Sequence, residues 1–267
     1  MKPLIVANWK CNPITLREAE NLFDSIRKGI KNVKNSEVVI CPPFVYLANL
    51  QLTTYNLKLG AQDCFWEGKG AFTGEISPAM LKNLGVDYVI IGHSERRKYQ
   101  RETDEMINKK LKAALKAGLK VILCIDNISQ IPSFLRKRGG RRGRSPLCLK
   151  KDLSGLIKKE LANLIIAYEP IFAIGTGKPC RVEKANKMRM SITELPFMEA
   201  KVKKRTKSSS PKKEVLNKKI PILYGGSVNS QNAGDYIKEG GFQGLLIGST
   251  SLNAKEFIKI VKDIDLN

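Results

Sequence analysis

Histidine is what this chain most nearly lacks: His93 is the single imidazole among 267 residues. A metal centre built on several histidines is therefore excluded. Histidine-borne proton chemistry near neutral pH has one candidate ring. The six cysteines (Cys11, Cys41, Cys64, Cys124, Cys148 and Cys180) include no Cys-x-x-Cys pair. With one histidine beside them they form no Cys/His zinc signature, so no metal is expected. Cys41, Cys64 and Cys124 lie in or beside apolar runs, where a thiol serves as a small buried side chain. Such scattered cysteines fit a reduced, cytoplasmic compartment. Long apolar runs are missing too. Leu4–Ala7 gives way at once to Asn8, too short for a secretory core, and no run approaches a membrane span. No Gly-x-Gly-x-x-Gly follows the first apolar run, which weakens a dinucleotide-binding reading.

Acidic residues are scarce in two places. The net charge is +22; residues 136–151 hold eight Lys/Arg and no acid, and residues 199–219 hold nine against two, so these stretches carry +15 of it. Phe134–Arg144 and Lys201–Lys213 read as exposed, flexible basic loops, inserted at about 130–150 and 199–219. Lysine and arginine runs are an electrostatic footprint for nucleic acid. Only Phe134, at the edge, offers a ring for base stacking, which argues against specific nucleic-acid binding.

What is present is a repeated alternation. Eight short apolar runs recur: Leu4–Ala7, Val38–Cys41, Leu57–Ala61, Tyr88–Ile91, Val121–Ile125, Leu164–Tyr168, Ile220–Tyr224 and Leu245–Ile247. They are near-continuous, as in parallel strands buried on both faces. Helical periodicity fills most gaps. Thr15–Lys31 opens with a Thr/Glu18 capping box; Thr103–Lys116 ends at Gly118; Ser230–Glu239 and Asn253–Lys262 behave similarly. The pattern and length predict an α/β fold, a (β/α)8 barrel formed by residues 1–267 as a single domain, with an open doubly wound sheet as the alternative.

In such a barrel, residues at the C-terminal ends of strands face the site. Those ends supply Asn8-Trp9-Lys10, His93-Ser94-Glu95, Glu169, Gly225-Gly226-Ser227 and Gly248-Ser249. An ammonium, an imidazole and a carboxylate are thus followed by two small-residue turns that lead into helical segments. Backbone N–H groups at such turns bind phosphate. The set points to proton transfer on a small phosphorylated substrate.

Asn8-Trp-Lys10, Trp66-Glu-Gly-Lys-Gly-Ala-Phe-Thr-Gly-Glu-Ile-Ser-Pro-Ala-Met80, Gly92-His-Ser-Glu-Arg-Arg97, Ala167-Tyr-Glu-Pro170 with Ala173-Ile-Gly-Thr-Gly177, and Tyr224-Gly-Gly-Ser-Val228 together resemble the triosephosphate isomerase family, in its order and over nearly the whole chain. The resemblance implies interconversion of dihydroxyacetone phosphate and glyceraldehyde 3-phosphate, a step of glycolysis and gluconeogenesis, without cofactor. It implies Glu169 as the base, His93 as a neutral hydrogen-bond donor kept uncharged by a helix N-terminus, and Lys10 as fixed positive charge. Asn8 would hold Lys10 and substrate, and Glu95 would either orient Lys10 or serve as a structural ion-pair partner. Pro170, Ile171, Phe172, Ala173, Ile174, Gly175, Thr176 and Gly177 would form a lid. Gly175, Ser227, Gly248 and Ser249 would hold the phosphate, and closure would exclude water. Thr73-Gly74-Glu75 would reach into a second subunit, implying a homodimer.

Five positions depart from the family pattern. Phe172 stands where the lid usually has tryptophan, Ser249 replaces a glycine, Asp126-Asn127 replaces a Gly-Glu pair, and Cys11 replaces methionine. Ser249 fits provided its φ suits a residue with a Cβ. The alternative to an isomerase is a barrel that binds phosphate ligands or a polyanion such as RNA through the basic segments without turnover.

Overall fold

The computed structural model describes residues 1–50, 57–131, 161–173, 177–195, 199–204 and 214–266. Eight strands close into one barrel in which every pairing is parallel. In chain order these are β1 (Leu4–Asn8), β2 (Glu37–Cys41), β3 (Leu57–Ala61), β4 (Tyr88–Ile91), β5 (Lys120–Ile125), β6 (Leu164–Tyr168), β9 (Ile222–Tyr224) and β10 (Gly244–Ile247). Each of the eight apolar runs becomes a strand.

The runs are near-continuous because alternate residues serve two cores. Leu4, Val6, Val39, Cys41, Tyr88, Ile90, Ile122, Cys124, Ile165, Ala167, Leu223 and Leu246 pack together inside the barrel. Their neighbours Ile5, Ala7, Val38, Ile40, Val121 and Leu123 join the larger core between strands and helices. At the N-terminal ends of the strands, Tyr88 Oη donates to Glu37 at 2.6 Å and Lys120 Nζ donates to Tyr88 Oη at 2.7 Å. This polar knot lies at the end remote from the strand C-termini, where a barrel puts stability and not chemistry.

Helix α1 (Leu16–Gly29) starts at the expected capping box, with Glu18 N donating to Thr15 Oγ1 at 3.2 Å and Thr15 N to Glu18 Oε2 at 3.1 Å. It buries Ala19, Phe23 and Ile26. It lies beside the last helix, Ala254–Asp265, which buries Phe257, Ile260, Val261 and Ile264. Thr103 caps Asp104–Lys116, and Gly118 turns the chain after it at φ 80°. The helix expected from Ser230 begins later, at Ala233. Asn229 Oδ1 accepts from Gln231 N and Asn232 N, and this local turn competes with the first helical turn.

One expectation is corrected. The sequence suggests a basic loop over Lys201–Lys213, but Lys201–Lys204 lies in a strand. β7 (Glu199–Lys204) and β8 (Glu214–Lys219) pair antiparallel as a separate two-stranded sheet. The register sets Val202 opposite Leu216, Glu199 opposite Lys219 and Lys204 opposite Glu214. The lysine content of the two segments disguises this pairing in the sequence. Residues 205–213, and the whole basic stretch 136–151, lie outside the described residues.

Candidate active site

Strand β1 carries Asn8 and Lys10 to the barrel mouth. Lys10 is held with φ at 56°, a left-handed conformation costly for a residue with a Cβ. Two amides support it. Asn8 Oδ1 accepts from Lys10 N at 3.0 Å, and Gln62 Nε2 donates to Lys10 O at 2.8 Å and to Cys41 O at 2.9 Å. Lys10 Nζ meets Glu95 Oε1 at 2.5 Å. Gly248 lies beneath the ammonium, where a Cβ would stand 3.1 Å from Lys10 Cε. The structure therefore adds Gln62 to the residues read from sequence. Its position right after β3 was the available signal.

His93 follows β4 and caps the short helix Ser94–Tyr99; its Nδ1 accepts from Glu95 N at 3.2 Å. An accepting Nδ1 puts the ring proton on Nε2, which faces Glu169 Oε1 at 3.1 Å. Glu169 follows β6 and is only 2 % exposed; its second oxygen, Oε2, accepts from Ser94 N at 3.3 Å. Gly225 makes room for it, because a Cβ there would stand 3.0 Å from Glu169 Cγ.

Burial of His93 opposes the imidazolium, yet the Glu169 carboxylate in contact and the nearby Glu95 together favour it, and the His93 pKa is raised above its ordinary value. The helix terminus that disfavours the imidazolium is thus opposed in this site by neighbouring carboxylates. The amide on Nδ1 favours the neutral ring and Glu169 favours the charged one. With Glu169 in contact, the balance is upward.

Asn8, Lys10, His93 and Glu169 line one cavity of about 180 Å³, together with Gly177, the turn Gly225–Asn229 and Gly248–Thr250. A groove of about 630 Å³ opens on the far side of Glu169, between Arg97, Tyr99, Asp126 and Ile171. Only the smaller cavity brings ammonium, imidazole, carboxylate and glycine/serine turns together. Among the described residues no group of His, Cys, Asp and Glu is arranged to hold a metal ion.

The triosephosphate isomerase family profile matches residues 3–264. The chain belongs to the triosephosphate isomerase family. It is 43 % identical over 263 residues to the triosephosphate isomerase of Thermoanaerobacter sp. (strain X514), covering 97 % of this chain and 98 % of that one. It is 41 % identical over 263 residues to that of Dictyoglomus turgidum, covering 98 % and 99 %. It is 40 % identical over 263 residues to that of Aquifex aeolicus, again covering 98 % and 99 %.

The positions that depart from the triosephosphate isomerase pattern have definite surroundings. Among the described non-glycine residues only Lys10 and Arg101 have positive φ, so Ser249 sits in ordinary backbone. Asp126 and Asn127 build a local turn: Asn127 Nδ2 donates to Asp126 Oδ1 at 2.6 Å, and Asn127 Oδ1 accepts from Ser129 N at 2.8 Å. Phe172 is half exposed, with Lys184 Nζ 4.7 Å from its ring centre. Cys11 is exposed beside Lys10. Of the expected lid, Pro170 leads into the turn Ile171–Ala173, and Gly177 has φ 70°. Ile174, Gly175 and Thr176 lie outside the described residues. Thr73-Gly74-Glu75 forms an exposed turn in which Glu75 N donates to Phe72 O at 3.1 Å. Phe72 is 43 % exposed there. Among the described residues no helix is long and apolar enough to cross a membrane.

Proposed function

We propose that this chain is an aldose–ketose isomerase, interconverting dihydroxyacetone phosphate and D-glyceraldehyde 3-phosphate through an enediol(ate). The observation that carries the reading is the meeting of Lys10, His93 and Glu169 around one small cavity walled by Gly225–Ser227 and Gly248–Ser249. Glu169 takes the proton from the carbon beside the carbonyl, and the electron pair moves onto the carbonyl oxygen. His93 Nε2–H donates to that oxygen, and Lys10 offsets its charge. His93 gives its Nε2 proton to that oxygen and takes the proton of the neighbouring hydroxyl in return, and Glu169 returns the first proton to the other carbon, so the second oxygen becomes the carbonyl and no cofactor takes part.

Glu169 now rests on His93 and Ser94 N. Reaching a substrate carbon means leaving both, and the missing Cβ of Gly225 keeps the space beside it clear. Its departure removes the carboxylate that favours a charged His93. The ring then works as a neutral donor, fixed by the amide on Nδ1. Glu95 holds the Lys10 ammonium in place. Ser227, Gly248, Ser249 and Gly175 serve the phosphate, and residues 170–177 close over it.

The exposed Phe72 beside Thr73-Gly74-Glu75 supports a homodimer, since an aromatic ring on a projecting turn gains by burial against a second subunit. We place the enzyme in the cytoplasm, in glycolysis and gluconeogenesis, with residues 1–267 acting as one domain. A coupled assay with glyceraldehyde 3-phosphate tests the proposal. Turnover that Glu169→Gln abolishes is expected, and wild-type activity no higher than that variant's would end it.

A further inference from the structure

Between the helix Val182–Thr193 and strand β9 the chain adds a sheet of its own, β7 with β8. A connection from a helix to the next barrel strand lies at the N-terminal end of the strands, remote from a site at their C-terminal ends. Leu195, before the hairpin, packs on the core, and Ile220, after it, is buried. Both roots of the hairpin are thus fixed in the barrel.

The register decides where its charge falls. Residues opposite each other share a face, and neighbours along a strand alternate between faces. One face therefore holds Lys201, Lys203 and Lys219, and the other holds Lys204 and Lys218. Glu199 stands opposite Lys219, and Glu214 stands opposite Lys204. Lys201, Lys203 and Lys218 stand opposite Asn217, Val215 and Ala200, so no acid meets them across the ladder. These three lysines fall on both faces of one narrow ribbon. Each strand has 6 residues, a length of about 20 Å.

Lysines on a two-stranded ribbon also keep its open edges from pairing with another chain, a duty that needs charge and no partner. The placement on both faces points further. A DNA duplex carries one negative charge per about 1.7 Å of its axis, and its major groove admits a two-stranded β-ribbon between two rows of phosphates. A groove meets both faces of a ribbon, whereas a membrane plane meets one. Residues 199–219 also hold no Phe, Trp or Tyr to sit at a lipid interface.

We propose that the β7–β8 ribbon is a sequence-independent docking surface for duplex DNA, engaging its phosphates through Lys201, Lys203 and Lys218. Phosphate contact needs no stacking ring and carries no base readout. This is a second activity, independent of the isomerisation read above.

The experiment follows the full-length protein by fluorescence anisotropy against a labelled DNA duplex of about 20 base pairs, without substrate, as salt rises from about 50 to about 200 mM. Each lysine–phosphate contact contributes about 0.9 to the slope of log affinity against log salt, so three contribute about 2.7. Over that range wild-type affinity should fall about 40-fold more than that of the triple variant Lys201→Gln, Lys203→Gln, Lys218→Gln. The triple variant Lys201→Arg, Lys203→Arg, Lys218→Arg keeps the charge and should keep the wild-type slope. Lys28→Gln, Lys31→Gln and Lys255→Gln together remove as much charge from exposed positions on or beside the helices Leu16–Gly29 and Ala254–Asp265, and should leave the slope unchanged. Thermal melts establish that each variant is folded. Equal slopes for wild type and the ribbon glutamine variant overturn the proposal. So does an equal loss in the helix variant, which would mark a field of the whole body, or an absence of binding at the lowest salt. Phosphatidylserine vesicles that strip wild type from the duplex would assign the surface to a membrane and overturn it too.

Discussion

Replacing Lys110 with methionine removes one ammonium from a buried knot of charge beside the candidate site. Lys110 is 3 % exposed, and its Nζ lies 2.5 Å from both Asp63 Oδ2 and Glu102 Oε1. Arg96 completes the set, with Nη2 at 2.9 Å from Asp63 and Nε at 2.6 Å from Glu102. Two cations balance two buried carboxylates, whose remaining oxygens, Asp63 Oδ1 and Glu102 Oε2, have no hydrogen-bond partner among the described residues. Methionine nearly matches the lysine stem in length, so the loss is electrostatic rather than a cavity. Removing one member of a buried ion set costs about 3–5 kcal/mol, because the orphaned charge stays buried. For a chain of this size that corresponds to a fall in melting temperature of roughly 6–20 °C. Burial pushes Asp63 up to about 6 despite Lys110. Glu102 is also opposed by burial, but its bonds to Lys110 and Arg96 hold it below the ordinary carboxylate range. The sign with pH follows. In wild type, the depressed Glu102 adds stability above its ordinary pKa that is lost as pH falls. Without Lys110 both acids titrate higher in the folded state, so protonation at low pH relieves the variant and ionisation at high pH penalises it. Urea unfolding from about pH 5 to about pH 8 should show a deficit that widens with pH. A loss below about 1 kcal/mol, the range of an exposed ion pair, would refute the reasoning. So would a deficit independent of pH.

Because His93 is the only histidine, its imidazole signals in a nitrogen-15 NMR titration need no assignment. We expect a wild-type midpoint above the ordinary histidine value, moving down in Glu169→Gln, where burial acts without the carboxylate; an unmoved midpoint would sever the two residues. By linkage, the His93 contribution to wild-type stability is complete below the unfolded-state pKa and is lost as pH rises through the folded one. Gln62→Leu leaves the Lys10 and Cys41 carbonyls without their shared donor while Lys10 stays in its left-handed conformation. We expect a loss of about 1–3 kcal/mol in urea unfolding, with a raised KM for glyceraldehyde 3-phosphate as the ammonium loosens. Unchanged stability and KM would show that Lys10 holds its shape without Gln62.

The outline of this molecule was legible because a barrel turns position along the chain into position in space. Each apolar run became a strand, and the residue that ends a strand stands at the barrel mouth, so Asn8, His93 and Glu169 could be placed before any coordinate was known. The basic hairpin was not legible, since its alternation is overwritten by lysines and its pairing shows only when Glu199–Lys204 and Glu214–Lys219 are set in register. The shell behind the site was harder still, because it depends on which distant elements meet. Gln62 looks like any polar residue after a strand until the left-handed Lys10 presents it with a carbonyl. Asp63 and Lys110 lie 47 residues apart, and Tyr236 and Cys180 lie 56 apart. No local pattern announces either contact. Gly225 illustrates the limit best. Its contribution is an absent atom, and an absence has meaning only once Glu169 Cγ is found where a Cβ would crowd it. A site of this kind thus has two layers of evidence. Strand order specifies which groups confront the substrate, and packing specifies whether they can hold and change position there. The second layer decides whether Lys10, His93 and Glu169 work as a unit.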